Sequence, residues 1–507
     1  MYYIAVYILL LLFLILIQKK KTPIFTVQKK KNWFLPSLSL FLLYGSLEQG
    51  QLITNIVYNQ GIWGLWFLWI GTISIFVIPI VFAPIWRKLN LKTDNDFILL
   101  RFPGKDGTIL YHFRALFLSI LVIPILISFH ALAFSRIIEV YFDFTPLDSK
   151  FIVCIIILCV VLKNRFELKL KTDAFNAIIY IIIFIVVTFY LCRSHDFSIS
   201  IAQQLAKIGP DHDSILPPKG NKTEWGNFWI VLLIQWWSTT MMDGSGPEMI
   251  RYSALKNNKE ILKTAIISSF LQLLISFIIL SICLLLVVKI RNNSGEVQFV
   301  ALLFDSIPNT LKGLCMVGFL ALFISAVESL LSWGGGLLHF EKFNYNENLL
   351  EITNKRKSYL FMFVISIISC FCTLLFENLH QIILFIFSIS AGVAPVFILR
   401  WIWRKINGWS QLSAMFFSAF YTLIFTFFFQ KQNQVIGWPF ASARLMTVTI
   451  MTTITWLIIT MISGKQITRK AFDQIKLTSL KPFVIALLFG ALSLGLFVTC
   501  VYFLIQL

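Results

Sequence analysis

Apolar residues along this chain come in long blocks, without the period-two alternation of exposed strands. Many runs of about 18 to 25 residues carry one charge or none, the length needed to cross a hydrocarbon core about 30 Å thick. The pattern predicts fourteen helices from Tyr2–Ile17 to Phe483–Ile505, among them Phe34–Val57, Ile62–Trp86, Asp173–Cys192 and Phe228–Tyr252. The fold class is therefore an all-α polytopic membrane protein. Two apolar blocks are interrupted. Ser46-Leu47-Glu48-Gln49-Gly50-Gln51 breaks the second predicted helix, and Asp243-Gly244-Ser245-Gly246-Pro247 breaks the seventh.

Composition agrees with the pattern. Hydrophobic residues make up 58% of the 507 and charged residues only 13%, against about 25% charged in soluble domains. The net charge of +19 could suggest nucleic acid, but the Lys and Arg residues lie between the apolar blocks, as the positive-inside rule predicts. The connections holding Lys19-Lys20-Lys21, Arg87/Lys88, Lys163/Arg165/Lys169/Lys171, Lys355-Arg356-Lys357 and Arg469/Lys470 read as cytoplasmic. Both termini of a multi-pass plasma (inner) membrane protein then lie outside. The loops are too short for a globular domain, and the longest, Arg193 to Asn227, reads as an outer loop. All eight cysteines fall in or beside apolar blocks and read as core residues. No Walker loop or dinucleotide fingerprint is present and the six His are scattered, so neither ATP-driven transport nor an enzyme is expected, and no organic cofactor.

A charge at mid-bilayer costs roughly 2.5 to 3.5 kcal/mol on insertion scales, so such residues face the bundle interior or a cavity. Glu48, Asp173, Asp243 and Glu328 are the four candidates, with Asp173 placed at the start of its predicted helix. Glycine and proline around Asp243 cannot sustain a regular backbone ladder, and irregular backbone at membrane depth is tolerated only inside protein or along a cavity. Two broken helices in corresponding halves of a chain point to the binding site of an inverted-repeat transporter.

The residues at these places resemble the sodium:solute symporter family. Trp236-Trp237, Asp243-Gly244-Ser245-Gly246, Arg251 and Lys256 are similar to its WW…DGxGY…QR…AK pattern. Leu170-Lys171-Thr172-Asp173, the stretch from Gly313 to Gly334, and Arg400-Trp401-Ile402-Trp403-Arg404-Lys405 match further segments in family order. The resemblance implies a LeuT-like core of two inverted five-helix repeats, Phe34–Cys192 and Phe228–Ile402. One helix, Tyr2–Ile17, precedes the core and three helices follow it within 409–507. It implies a sodium site formed by the carbonyls of Leu42, Gly45 and Leu322 and the hydroxyl of Ser325, with Asp173 nearby. A solute would sit near Ser46, Glu48, Gln49, Ser238, Thr239, Asp243 and Gly244. Three positions depart from the pattern: Ala326 replaces a second sodium-site hydroxyl, Pro247 a tyrosine and Ile250 a glutamine. The alanine removes one oxygen from a site for a hard cation.

The expected function is secondary active, sodium-coupled symport of a small organic solute, with the lipid bilayer as surroundings and no nucleic-acid partner. The alternatives are proton-coupled or uncoupled transport on the same fold, and a transporter-derived sensor that binds solute without flux.

Overall fold

The computed structural model describes residues 2–16, 31–89, 91, 93–161, 166–195, 198–239, 241–287, 289–290, 295–338, 347–429, 434–435, 438–464, 472–473, 476–477 and 479–506. The basic positions Lys19, Lys20, Lys21, Lys163, Arg165, Arg469 and Lys470 lie outside these. The first part of the chain forms α1 (Tyr2–Leu16), α2 (Phe34–Tyr44), α3 (Gln49–Gln60), α4 (Ile62–Leu89), α5 (Asp96–Arg101), α6 (Lys105–Phe142), α7 (Pro146–Val161) and α8 (Phe166–Ser194). After α9 (Ile201–Ala206) come α10 (Lys222–Ile234), α11 (Pro247–Ser253), α12 (Asn258–Val287), α13 (Gly295–Asp305), α14 (Asn309–Leu337) and α15 (Glu347–Leu375). The chain closes with α16 (Leu379–Leu399), α17 (Gly408–Phe429), α18 (Phe440–Ser463) and α19 (Lys481–Gln506). Among the described residues, ten helices are long and apolar enough to cross a membrane.

These helices form because their apolar blocks satisfy every backbone group internally, the condition for stability in hydrocarbon. The long spans are not regular throughout. A wide turn at Ile78–Phe82 in α4 contains Pro79, and another at Phe117–Val122 in α6 stands just before Pro124. Proline removes a donor and crowds the preceding turn, so the ladder locally opens by one residue.

One bundle positions the site. Helix α2 packs against α8, α12 and α14, while α3 packs against α12 and α13. The long α6 lies along α14 and α15, and α1 touches α14 and α8. Helices α16, α17 and α18 pack on one another, and α19 covers α4. Large apolar side chains such as Ile182, Phe189, Phe270, Phe371, Phe427 and Leu492 are exposed on the outer faces. That surface suits hydrocarbon and would be an aggregation liability in water.

Four expectations need correction. Asp173 does not begin its helix, since α8 starts at Phe166 and the carboxylate is buried within the bundle. Lys169 is not a loop residue; it lies in α8, only 2% exposed. The stretch Arg193 to Asn227, expected as a loop, contains α9, capped by the Ser200 hydroxyl on the Gln203 amide, and its last residues already belong to α10. Cys159 and Cys500 are exposed, outside the core.

Candidate solute and cation sites

The second interruption separates α10, which ends in a tight turn at Gln235–Trp237, from α11. Gly244 and Gly246 adopt φ of +68° and +106°, a region costly for residues with a Cβ. A Cβ on Gly244 would also sit 2.7 Å from Ile78 Cγ2. Asp243 anchors this stretch and is 0% exposed. Its Oδ2 accepts from Arg400 Nε at 3.1 Å, from Arg400 Nη2, and from Trp401 Nε1 at 2.9 Å. Its Oδ1 accepts from the Ser245 amide at 3.2 Å, and its main-chain oxygen from Trp86 Nε1 at 2.6 Å. Arg400 also donates to Gln411 Oε1 and lies over the rings of Phe97 and Phe397. The carboxylate is thus engaged by the protein itself. Ser238 is buried and donates to the Gln235 carbonyl at 3.0 Å, while Thr239 meets Ser74 of α4 at 3.3 Å.

The first interruption lies between α2 and α3. Gly45 is extended, its N–H donating to the Phe41 and Leu42 carbonyls. Ser46 is half-buried. Glu48, 3% exposed, pairs its Oε2 with His130 Nδ1 of α6 at 3.1 Å. Gln49 donates to Ser276 Oγ of α12 at 3.0 Å, and Gln51 to the Ala133 carbonyl of α6 at 3.2 Å. The break is therefore tied to both neighbours. His130 is a residue that sequence reasoning missed, because it looks like one of several scattered histidines until α6 brings it to Glu48.

The expected sodium-site residues lie where α2, α8 and α14 meet. A Cβ on Gly45 would come within 2.8 Å of Leu322 Cδ1, so the α2 terminus and α14 touch there. Asp173 accepts from Ser39 Oγ and from Lys169 Nζ at 3.3 Å, and forms an ion pair with Arg251 Nη2 at 3.5 Å. Arg251 further donates to Ser39, Ser329 and the Pro247 carbonyl. Lys169 Nζ also donates to the Ser325 carbonyl at 3.1 Å, and Asn176 Nδ2 to Ser325 Oγ at 2.8 Å. Ala326 is buried beside them, and Glu328 lies fully buried one turn on.

Two cavities open nearby. One of about 770 Å³ is lined by Gln60, Asn227, Gln235, His380, Ser388 and Ser442 among others. The other, about 590 Å³, is apolar and lined by residues such as Phe117, Met241, Met242, Val393 and Met415. None of the seven expected solute residues lines either one.

Comparison with known proteins places this geometry. Residues 29–418 match the model of the sodium:solute symporter family. A Na+-coupled sialic acid symporter, solved in a substrate-bound outward-open state, superposes with TM-score 0.69 at 16% identity over 92% of this chain and 97% of that one. Mhp1, a nucleobase-cation-symport-1 family transporter solved closed with bromovinylhydantoin, gives TM-score 0.53 at 11% identity, over 90% and 99% of the two chains. A manganese transporter mutant from Eremococcus coleocola gives TM-score 0.50 at 13% identity, over 89% and 98%. At these identities the likeness is one of fold. A search of curated proteins found no match.

Proposed function

The chain belongs to the sodium:solute symporter family, and from that premise we propose that it moves a small organic solute across the plasma (inner) membrane by alternating access. It is a multi-pass membrane protein of a family whose work is transport, by sodium-coupled symport. Its family and its structural neighbours are transporters, which fits a chain that is not an enzyme. The reading extends to fourteen spans with both termini outside. Phe34–Cys192 and Phe228–Ile402 are taken as inverted repeats, with one additional helix before them and three after.

The carrying observation is the pair of interrupted helices, each with buried polar side chains at its break. The solute is placed between them, contacted by Ser46, Glu48, Gln49, Ser238 and Thr239. Asp243 and Gly244 shape the second wall, because the Asp243 carboxylate is already bound to Arg400.

Sodium is the coupling ion that family membership supports, and the family's sodium site corresponds here to Leu42, Gly45, Leu322, Ser325 and Asp173. One charge crossing 100 mV supplies about 2.3 kcal/mol, enough for roughly 50-fold accumulation. The second reading, proton-coupled or uncoupled transport on the same fold, is favoured by Lys169, whose ammonium contacts two of those residues.

A thermal-stability screen of the purified protein against sugars, amino acids, carboxylates and vitamins would identify the solute class. Uptake of the hit into proteoliposomes, with and without an inward sodium gradient, then tests transport. Binding without any flux would replace the transporter reading by the sensor.

A further inference from the structure

A sodium ion needs oxygen lone pairs aimed at it. Where α8 faces α14 the oxygens instead receive N–H donors. The Ala321 carbonyl can only accept, so the Asn176 amide must turn its Nδ2 toward it, at 3.2 Å, and the same nitrogen reaches Ser325 Oγ at 2.8 Å. That leaves Asn176 Oδ1 to accept from the Tyr7 hydroxyl of α1 at 3.1 Å, which fixes the orientation from the other side. The Ser325 carbonyl accepts from Lys169 Nζ at 3.1 Å and from Ser329 Oγ at 2.7 Å. The hydroxyl that could have supplied another ligand is absent at Ala326.

The charges run the same way. Lys169 and Asp173 stand four residues apart on α8, so their side chains share one face. Arg251 approaches the same carboxylate from α11. Asp173 therefore already meets two cations, with the Glu328 carboxyl also acting on Lys169, and a further cation would be repelled by Lys169 and Arg251 in a low-dielectric interior. A lysine head is a compact point charge with three donors. Buried within a membrane bundle, such a charge must be paired, and Lys169 spends its donors on the Asp173 carboxylate and the Ser325 carbonyl, two acceptors at the edge of that site, while Asn176 takes the Ser325 hydroxyl.

We infer that Lys169 is a tethered cation that takes the place the family gives to sodium between α2, α8 and α14. Its ammonium joins α8 to α14 directly and reaches α2 only through Asp173 and Ser39, and it cannot leave with the solute. Sodium is excluded from this site while the side chain stays, so any sodium used in the cycle binds elsewhere. The inference rests on the sodium-site placement of the proposed function.

The test is radioactive sodium binding to the purified protein, a readout that needs neither the solute nor flux. Lys169→Ala combined with Ala326→Ser removes the tethered charge and restores the hydroxyl. This variant should bind one more sodium per protein than wild type, and adding Ser325→Ala should abolish the gain. Lys169→Arg, which keeps a cation, should match wild type. A folded double variant that gains no sodium overturns the assignment. Independently of that variant's folding, Ser325→Ala in the wild-type background should leave sodium binding unchanged, and a weakening there also overturns it. Failure of uptake with these binding results intact would count against the transporter reading alone.

Discussion

Arg400 and Asp243, 157 positions apart in the chain, form an ion pair in which both side chains are fully buried. The pair ties the end of α16 to the glycine-rich break before α11. Removing one partner of a buried pair strands the other charge, at a cost of about 3–5 kcal/mol. Arg400→Gln should destabilise by that order, and Asp243→Asn in the same background should restore part of it. A double-mutant cycle on thermal unfolding in detergent measures the coupling. Strictly additive losses would mean that the pair does not hold the break.

Glu48 and His130 form the polar pair at the first break. Glu48→Gln preserves shape and hydrogen-bonding capacity while removing the charge. If the carboxylate faces the solute, affinity for the screened hit should fall by about 1.5–3 kcal/mol, the value of a charged hydrogen bond, or roughly 10- to 100-fold. His130→Gln should lower affinity in the same direction. Wild-type binding by both folded variants would move the solute away from this break.

Gly50, in the first turn of α3, lies under the ring of Phe299 of α13, and a Cβ there would sit 2.4 Å from the ring carbons. Gly50→Ala should therefore destabilise by about 1–3 kcal/mol through overpacking. Phe299→Ala opens a cavity and is costly by itself, about 3–5 kcal/mol. Thermal unfolding of both single variants and the double variant decides the point: the double loss should be smaller than the sum, because the missing ring makes room for the methyl. Equality with the sum would show that the ring moves aside freely.

The proposed orientation is tested by single cysteines in a background lacking the eight native ones. Cysteine at Lys357 should resist an impermeant thiol reagent in intact cells. Cysteine at Lys219, exposed between α9 and α10, should react. The opposite labelling would invert the topology.

Much of this molecule is determined by local sequence. Apolar blocks of membrane length fix the helices, because hydrocarbon forces each backbone group to find its partner within the segment. Gly244 to Pro247 fixes the second break, since a proline lacks its amide proton and glycine alone adopts those φ values cheaply; at the first break Gly45 and Gly50 instead make room for Leu322 and Phe299. The buried acids Glu48, Asp173, Asp243 and Glu328 were equally legible, as charges inside apolar blocks. Their partners were not. Asp243 reads in sequence as a solute ligand, yet its oxygens go to Arg400 and Trp401. Glu48 finds His130, 82 positions away. Lys169 reads as a cytoplasmic loop charge because it follows a basic stretch, and only the packing of α8 on α14 turns it inward to Ser325. A lone charge announces from sequence that it needs compensation, but the compensating group is set by which helices pack together, and that is decided by contacts far apart along the chain.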